Sequence, residues 1–233
     1  MPTRRRILTA LAALSAAAAL VAGCSSSSEE NSAPLPDAAA LLTESSQSTR
    51  DLKNVHLFLT VTGQIKDLPI RTLNGDLTND PSTAAQGDAT ITLAGSAIDI
   101  DFVVFDKTLY ATLTPNIWSD FGPAADLYDV SAILDPAIGL ANVLTNFTDP
   151  NVDARETING VESVRVSGIV SADAVNKIAP RIAATGPVPG TAWIRADGNY
   201  DLVRVKLDTG PGNAIEMTLS EWGKPVTVAK PAV

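Results

Sequence analysis

Reactive side chains are scarce in this sequence, and they do not converge. One His and one Cys occur among 233 residues, beside 26 Asp and Glu and 17 Lys and Arg. That count rules out a His-rich metal centre, a zinc finger and an internal disulfide. His56 alternates with Leu57 and Leu59, so it occupies the opposite face of a strand, where a lone imidazole is a surface or packing residue. Asp99 and Asp101 share a strand face and have the spacing of an acid/base or metal-binding pair. Their alternation with Ile98, Ile100 and Phe102 is instead that of solvated positions on an amphipathic strand. Asp76 and Asp80, or Asp149 and Asp153, lack calcium-loop spacing. There is no Gly-x-Ser-x-Gly and no phosphate-cradling glycine loop. No catalytic residue, metal or cofactor is expected, and the chain does not read as an enzyme.

Cys24 is the exception. Arg4-Arg5-Arg6 precede an apolar run from Ile7 to Ala22, which ends in Val21-Ala22-Gly23-Cys24. The run is short for a membrane span, which needs roughly 20 residues, but suits the core of a secretory signal. Charged region, apolar run, small residues and cysteine in this order make a bacterial lipobox. Residues 1–23 then read as a signal peptide, and the Cys24 thiol becomes a thioether carrying diacylglycerol, with N-acylation beside it. Two buried acyl chains hold a protein stably on a bilayer. A secretory peptide with an incidental cysteine and an uncleaved anchor are the alternatives. Residues 24–36, rich in Ser and Pro, form a tether with a root-mean-square reach of roughly 20 Å. The expected location is extracytoplasmic, on the inner membrane and facing the periplasm.

The elements behind these residues follow from composition and period. Hydrophobic residues make up 45% of the chain, charged residues 18% and aromatics 5%, so aliphatic side chains must build the interior. Setting aside Arg4, Arg5 and Arg6 leaves a net charge of −12. Such a body is a poor partner for nucleic acid, or for anionic lipid through its general surface. Residues 37–233 read as a single domain. Asp37 caps a helix from Ala38 to about Leu52. Alternation marks strands at Val55–Val61, Ala89–Leu93, Ile98–Phe102, Leu109–Leu113, Val164–Val166, Val203–Leu207, Ile215–Leu219 and Val226–Val228. Residues 130–147 have helical spacing weakened by Pro136 and Gly139, and Ser171 caps a helix stopped at Ala179-Pro180. Pro115–Pro123, with Trp118 and Phe121, reads as an aromatic loop. The fold class is α+β, an antiparallel sheet with helices gathered on one face.

Leu57, Leu59, Ala89, Ile91, Leu93, Ile100 and Phe102, with Val143 and Leu144 from the helical segment, form its apolar inner face. Alternation alone does not separate a filled core from the wall of a cavity. The scarcity of aromatics suits an acyl-chain channel.

Longer stretches carry a resemblance. They include Pro34-Leu35-Pro36-Asp37-Ala38, Gly75-Asp76-Leu77-Thr78, Asp101-Phe102-Val103-Val104-Phe105-Asp106, Leu109–Asn116, Trp118–Asp126, Gly139–Leu144, Thr157-Ile158-Asn159-Gly160 and Met217–Ser220 with Trp222-Gly223. In these the chain resembles the mycobacterial LprG/LprA/LppX lipoprotein family. The resemblance implies a curved antiparallel half-barrel whose concave face is covered by helices and encloses an apolar cavity. It implies carriage of triacylglycerides and of triacylated glycolipids (phosphatidylinositol mannosides, lipomannan, lipoarabinomannan) from inner toward outer membrane. It also implies an inner-membrane major-facilitator efflux pump as partner. The family has no catalytic residues to transfer. The rival expectations are a structural or host-interacting surface lipoprotein with a filled core, and a transporter's substrate-binding lipoprotein.

Overall fold

Alternating aliphatic and polar residues give strands with one buried face, and nearly all of this chain is built that way. The computed structural model describes residues 35–233, so Cys24 and the signal and tether segments before Leu35 lie outside the described residues. In chain order the elements are α1 (Ala38–Asp51), β1 (Asn54–Thr62), β2 (Ile70–Thr78), β3 (Ala84–Leu93), β4 (Ser96–Phe105), β5 (Thr108–Thr114) and β6 (Ile117–Pro123). A crossover with α2 (Leu140–Thr145) leads to β7 (Phe147–Ile158), β8 (Val161–Val170), α3 (Ala172–Ile178), β9 (Val188–Arg195), β10 (Leu202–Gly210) and β11 (Asn213–Ser220).

The strands form one antiparallel sheet in the order β6-β5-β4-β3-β2-β1-β11-β10-β9-β8-β7. Pairing of β1 with β11 joins two meanders into one sheet. Its edges β6 and β7 do not meet, so it is a curved half-barrel with helices on its concave face. Its hairpin turns fall at two ends. The rim has the turns after β1, β3, β5 and β10, and the base has those after β2, β4, β7 and β9. Every buried core residue lies between Ala38 and Leu219, so the described part carries its own core.

Local chemistry sets the helices. The Asp37 carboxylate accepts from the Ala40 amide at 2.8 Å and starts α1. Ser171 Oγ accepts from the Ala174 amide at 3.2 Å and starts α3. The helix expected over 130–147 is split. A 3-10 turn spans Val130–Leu134, and the Asp135 carboxylate then accepts from the amides of Ala137 (2.8 Å) and Ile138 (3.2 Å). At Gly139 a Cβ would stand 2.2 Å from the Ile133 carbonyl oxygen, so only glycine fits before α2. Phe147 opens β7 rather than closing the helix. Pro115–Pro123 is no aromatic loop either: Ile117–Pro123 is edge strand β6, with Trp118 paired to Thr112. Val226 and Val228 belong to no strand.

Strands β2 and β3 approach closely at a pair of glycines. Gly75 pairs with Gly87, and a Cβ on Gly87 would lie 2.1 Å from the Asn74 carbonyl oxygen and 2.5 Å from the Gly75 Cα. Both obstacles are backbone. Gly87→Ala is therefore expected to destabilise the domain by about 1–3 kcal/mol in urea unfolding. An unchanged midpoint would show that the strands part without cost.

Candidate functional site

Strand register turns the alternating residues into continuous apolar rows on the concave face. One row crosses from β7 to β4 as Val152, Val166, Ala192, Val205, Met217, Leu59, Leu73, Ala89 and Ile100, each paired with the next. A second runs Leu219, Leu57, Gly75, Gly87, Phe102 and Ala111. No charged side chain interrupts either row. Toward the rim, Ile70, Ile91 and Ile98 add a third, half-buried line.

The helices supply the opposite wall. Leu41 and Leu42 of α1, Ile133 and Leu134 of the 3-10 turn, Leu140, Val143 and Leu144 of α2, and Val175 and Ile178 of α3 join the sheet residues in one buried cluster. The 3-10 turn lies over β2 and β3, while α1 lies over β7, β9 and β10. Ser46 Oγ donates to the Ala141 carbonyl at 3.0 Å and ties α1 to α2.

Of the residues expected at this wall, Leu57, Leu59, Ala89, Phe102, Val143 and Leu144 are buried in the cluster, and Ile91 and Ile100 are half-buried against it. Leu93 departs from the expectation: it is 49% exposed, because β3 runs past the helical cover to a hairpin tip. Leu73, Val205 and Met217 belong to the same rows, and their register with Leu59 is a tertiary fact that a linear pattern does not contain.

Clefts open at several places on the surface of the described part. Among them are clefts of about 840 Å3 at the base, 740 Å3 at the rim, 690 Å3 between α1 and the start of β7, and 410 Å3 on the convex face. Leu57, Leu59, Ala89, Ile91, Ile100 and Val143 line none of these. The inner rows and their helical cover belong to one buried apolar cluster.

The polar candidates resolve as surface groups. His56 Nδ1 lies 2.7 Å from the Asp76 carboxylate and Nε2 lies 3.0 Å from Asn74 Oδ1, all on the convex face. Asp99 accepts from Thr90 Oγ1 at 2.7 Å, and Asp101 accepts from Thr112 Oγ1 at 3.4 Å. Among the described residues no three His, Cys, Asp or Glu side chains are grouped to hold a metal ion, and no helix is long and apolar enough to cross a membrane.

Known proteins share this arrangement. A protein of Mycobacterium tuberculosis named "Lipoarabinomannan carrier protein LprG" is 56% identical over 228 residues, covering 98% of this chain and 96% of that one. The crystal structure of LprF from Mycobacterium bovis superposes with a TM-score of 0.77 at 32% identity, over 86% of this chain and 99% of the other. The Mycobacterium tuberculosis lipoprotein LppX gives a TM-score of 0.66 at 26% identity, over 82% and 97%. The family description LppX_LprAFG lipoprotein matches residues 37–228. With its sheet order, its helical cover and a match along nearly the whole domain, this chain belongs to the LppX_LprAFG lipoprotein family.

Proposed function

We propose that this chain is a lipid carrier of the cell envelope that holds acyl chains between the apolar rows and the helices. The observation that carries the reading is the uninterrupted row from Val152 to Ile100, whose rim side is only half-covered. Its cargo is the triacylglyceride and triacylated glycolipid class, including phosphatidylinositol mannosides, lipomannan and lipoarabinomannan. A relative named for carrying lipoarabinomannan supports this. Cys24 anchors the chain to the inner membrane by thioether-linked lipid. Cargo passes toward the outer membrane in concert with a major-facilitator efflux pump, a partner inferred from family resemblance.

Physical need supports this reading. Moving one sixteen-carbon chain from a bilayer into water costs about 13 kcal/mol at roughly 0.8 kcal/mol per methylene. Three chains make unaided escape too slow to matter. Two aliphatic walls that part for a ligand offer a second apolar phase and need few hydrogen bonds, leaving the headgroup at the rim. The enzyme reading has no support from His56 or the Asp pairs, which are engaged in surface hydrogen bonds.

Rows and helices that share one buried cluster also suit a second reading, a surface lipoprotein with a filled core. Transfer kinetics decide between them. A fluorescent triacylated lipid should move from donor to acceptor vesicles at a rate that rises in proportion to protein concentration. A rate independent of protein would favour the filled core.

A further inference from the structure

The two ends of the half-barrel differ in chemistry, and the difference points to a partner. At the base, the turns carry Asn79, Asp80, Ser82, Asp106, Asp197 and Asp201. At the rim, the three neighbouring turns after β1, β3 and β5 carry Ile65 and Leu68, then Leu93, then Leu113 and Ile117. Leu93 is 49% exposed, Leu113 48% and Ile117 59%, and Leu127 beside them 39%. Large aliphatic side chains on consecutive hairpin tips are costly to leave in water without a function.

Charge at the rim is equally unusual. The 740 Å3 rim cleft brings together Lys66, Arg71 and Arg181, with Asp67 its one acidic residue. None of the three cations makes a salt bridge among the described residues. Arg71 Nε donates to Thr92 Oγ1 at 3.1 Å, and Arg181 donates to the backbone carbonyls of Leu127 (2.6 Å) and Asp126. Six other basic residues of the domain, such as Arg165 and Arg195, are paired with carboxylates. Arg50, Lys53, Lys107 and Lys230 are outside these pairs too, but only at the rim do three such cations line one cleft beside exposed aliphatic tips, on a body whose net charge is strongly negative.

The chain enters from the same end. Ala39 and Leu42 of α1 line a cleft with Phe147 and Thr148, while Ser48 and Asp51 line the base cleft. Phe147 pairs with Val170 at the rim end of β8, so α1 starts toward the rim. The described part of the chain thus begins on the side of the basic, aliphatic turns.

We infer that the rim is a docking surface for a bilayer containing anionic phospholipid. Leu93, Leu113 and Ile117 enter the boundary between headgroups and acyl chains, while Lys66, Arg71 and Arg181 lie against the phosphates. The rim cleft then opens onto the membrane itself. This surface is independent of cargo, so lipid uptake without vesicle binding, or the reverse, separates it from the carrier reading.

The test is co-sedimentation of the chain lacking residues 1–24 with vesicles of phosphatidylcholine, alone or mixed equally with phosphatidylglycerol. Binding is expected to the mixed vesicles, to weaken with salt, and to be slight to phosphatidylcholine alone. Each cation near an anionic surface strengthens binding about fivefold, so Lys66→Gln with Arg71→Gln should weaken it roughly 25-fold. Leu93→Ser with Ile117→Ser should also weaken it, whereas Lys107→Gln, a single charge removed at the base, should leave it unchanged. All five positions are on turns or strand ends, and a thermal melt checks each fold. Equal binding to both vesicle types, no binding by the parent chain, or a loss with Lys107→Gln as large as with the rim pair would overturn the docking surface.

Discussion

Ile91→Trp should lower the affinity for an acylated lipid on the order of a hundredfold while leaving the thermal midpoint nearly unchanged. Ile91 pairs with Ile70 and Ile98 where the apolar rows emerge from beneath the helices. It is half-buried, so an indole has room to turn toward the rim without overpacking the core. There it takes the place of about four methylenes of a bound chain. At roughly 0.8 kcal/mol each that is about 3 kcal/mol, or a hundredfold. Ala89 is a poorer site for the same test. It is 5% exposed between Leu73 and Ile100, and a tryptophan there should unfold the domain rather than block it. Asp88→Trp, exposed on the convex face, is the control and should bind lipid as the parent does. Equilibrium titration with a fluorescent triacylated lipid reads all three. Parent-like affinity in a well-folded Ile91→Trp chain would remove the rim end of the rows from the binding path.

Cys24→Ala should move the protein from the membrane pellet to the soluble fraction. On the proposed anchor the Cys24 thiol carries acyl chains covalently, and two such chains hold a protein stably on a bilayer. The core between Ala38 and Leu219 is untouched by the change, so the domain's unfolding midpoint should stay the same. Fractionation at high salt gives the clean reading, because docking through Lys66, Arg71 and Arg181 is screened there while a lipid anchor is not. Retention of Cys24→Ala in the pellet at high salt would contradict the anchor.

What was legible in the sequence was whatever depends on near neighbours. Asp37 and Ser171 announce their helices through cap chemistry a few residues long, and Val55–Val61 or Ile215–Leu219 announce strands through strict alternation. The antiparallel sheet with helices on one face follows from those patterns. Three kinds of feature were not legible. β7 was missed because Thr148-Asp149-Pro150-Asn151 is polar and its register shifts twice, so no alternation survives. The split at Gly139 depends on the approach of the Ile133 carbonyl, which helical spacing does not encode. Leu93 shares the inner-wall parity of Ile91, but parity does not say where the helical cover ends. The net charge, a sum over the chain, likewise does not show that three cations line one rim cleft.

The site shows the same division. Each apolar residue of the candidate wall is visible as an alternating position, whereas the row linking Val166, Met217, Leu59 and Ala89 exists only through pairing of β1 with β11. Whether those walls part is a property of the ligand-bound state.

Native mass spectrometry of the chain lacking residues 1–24, secreted and purified from its own host, asks that question most directly. The predicted spectrum contains the protein with one bound lipid of multiply acylated mass, and Ile91→Trp loses that peak. A spectrum of bare protein only, from a host that makes such lipids, would contradict the claim that the half-barrel opens to hold fatty chains.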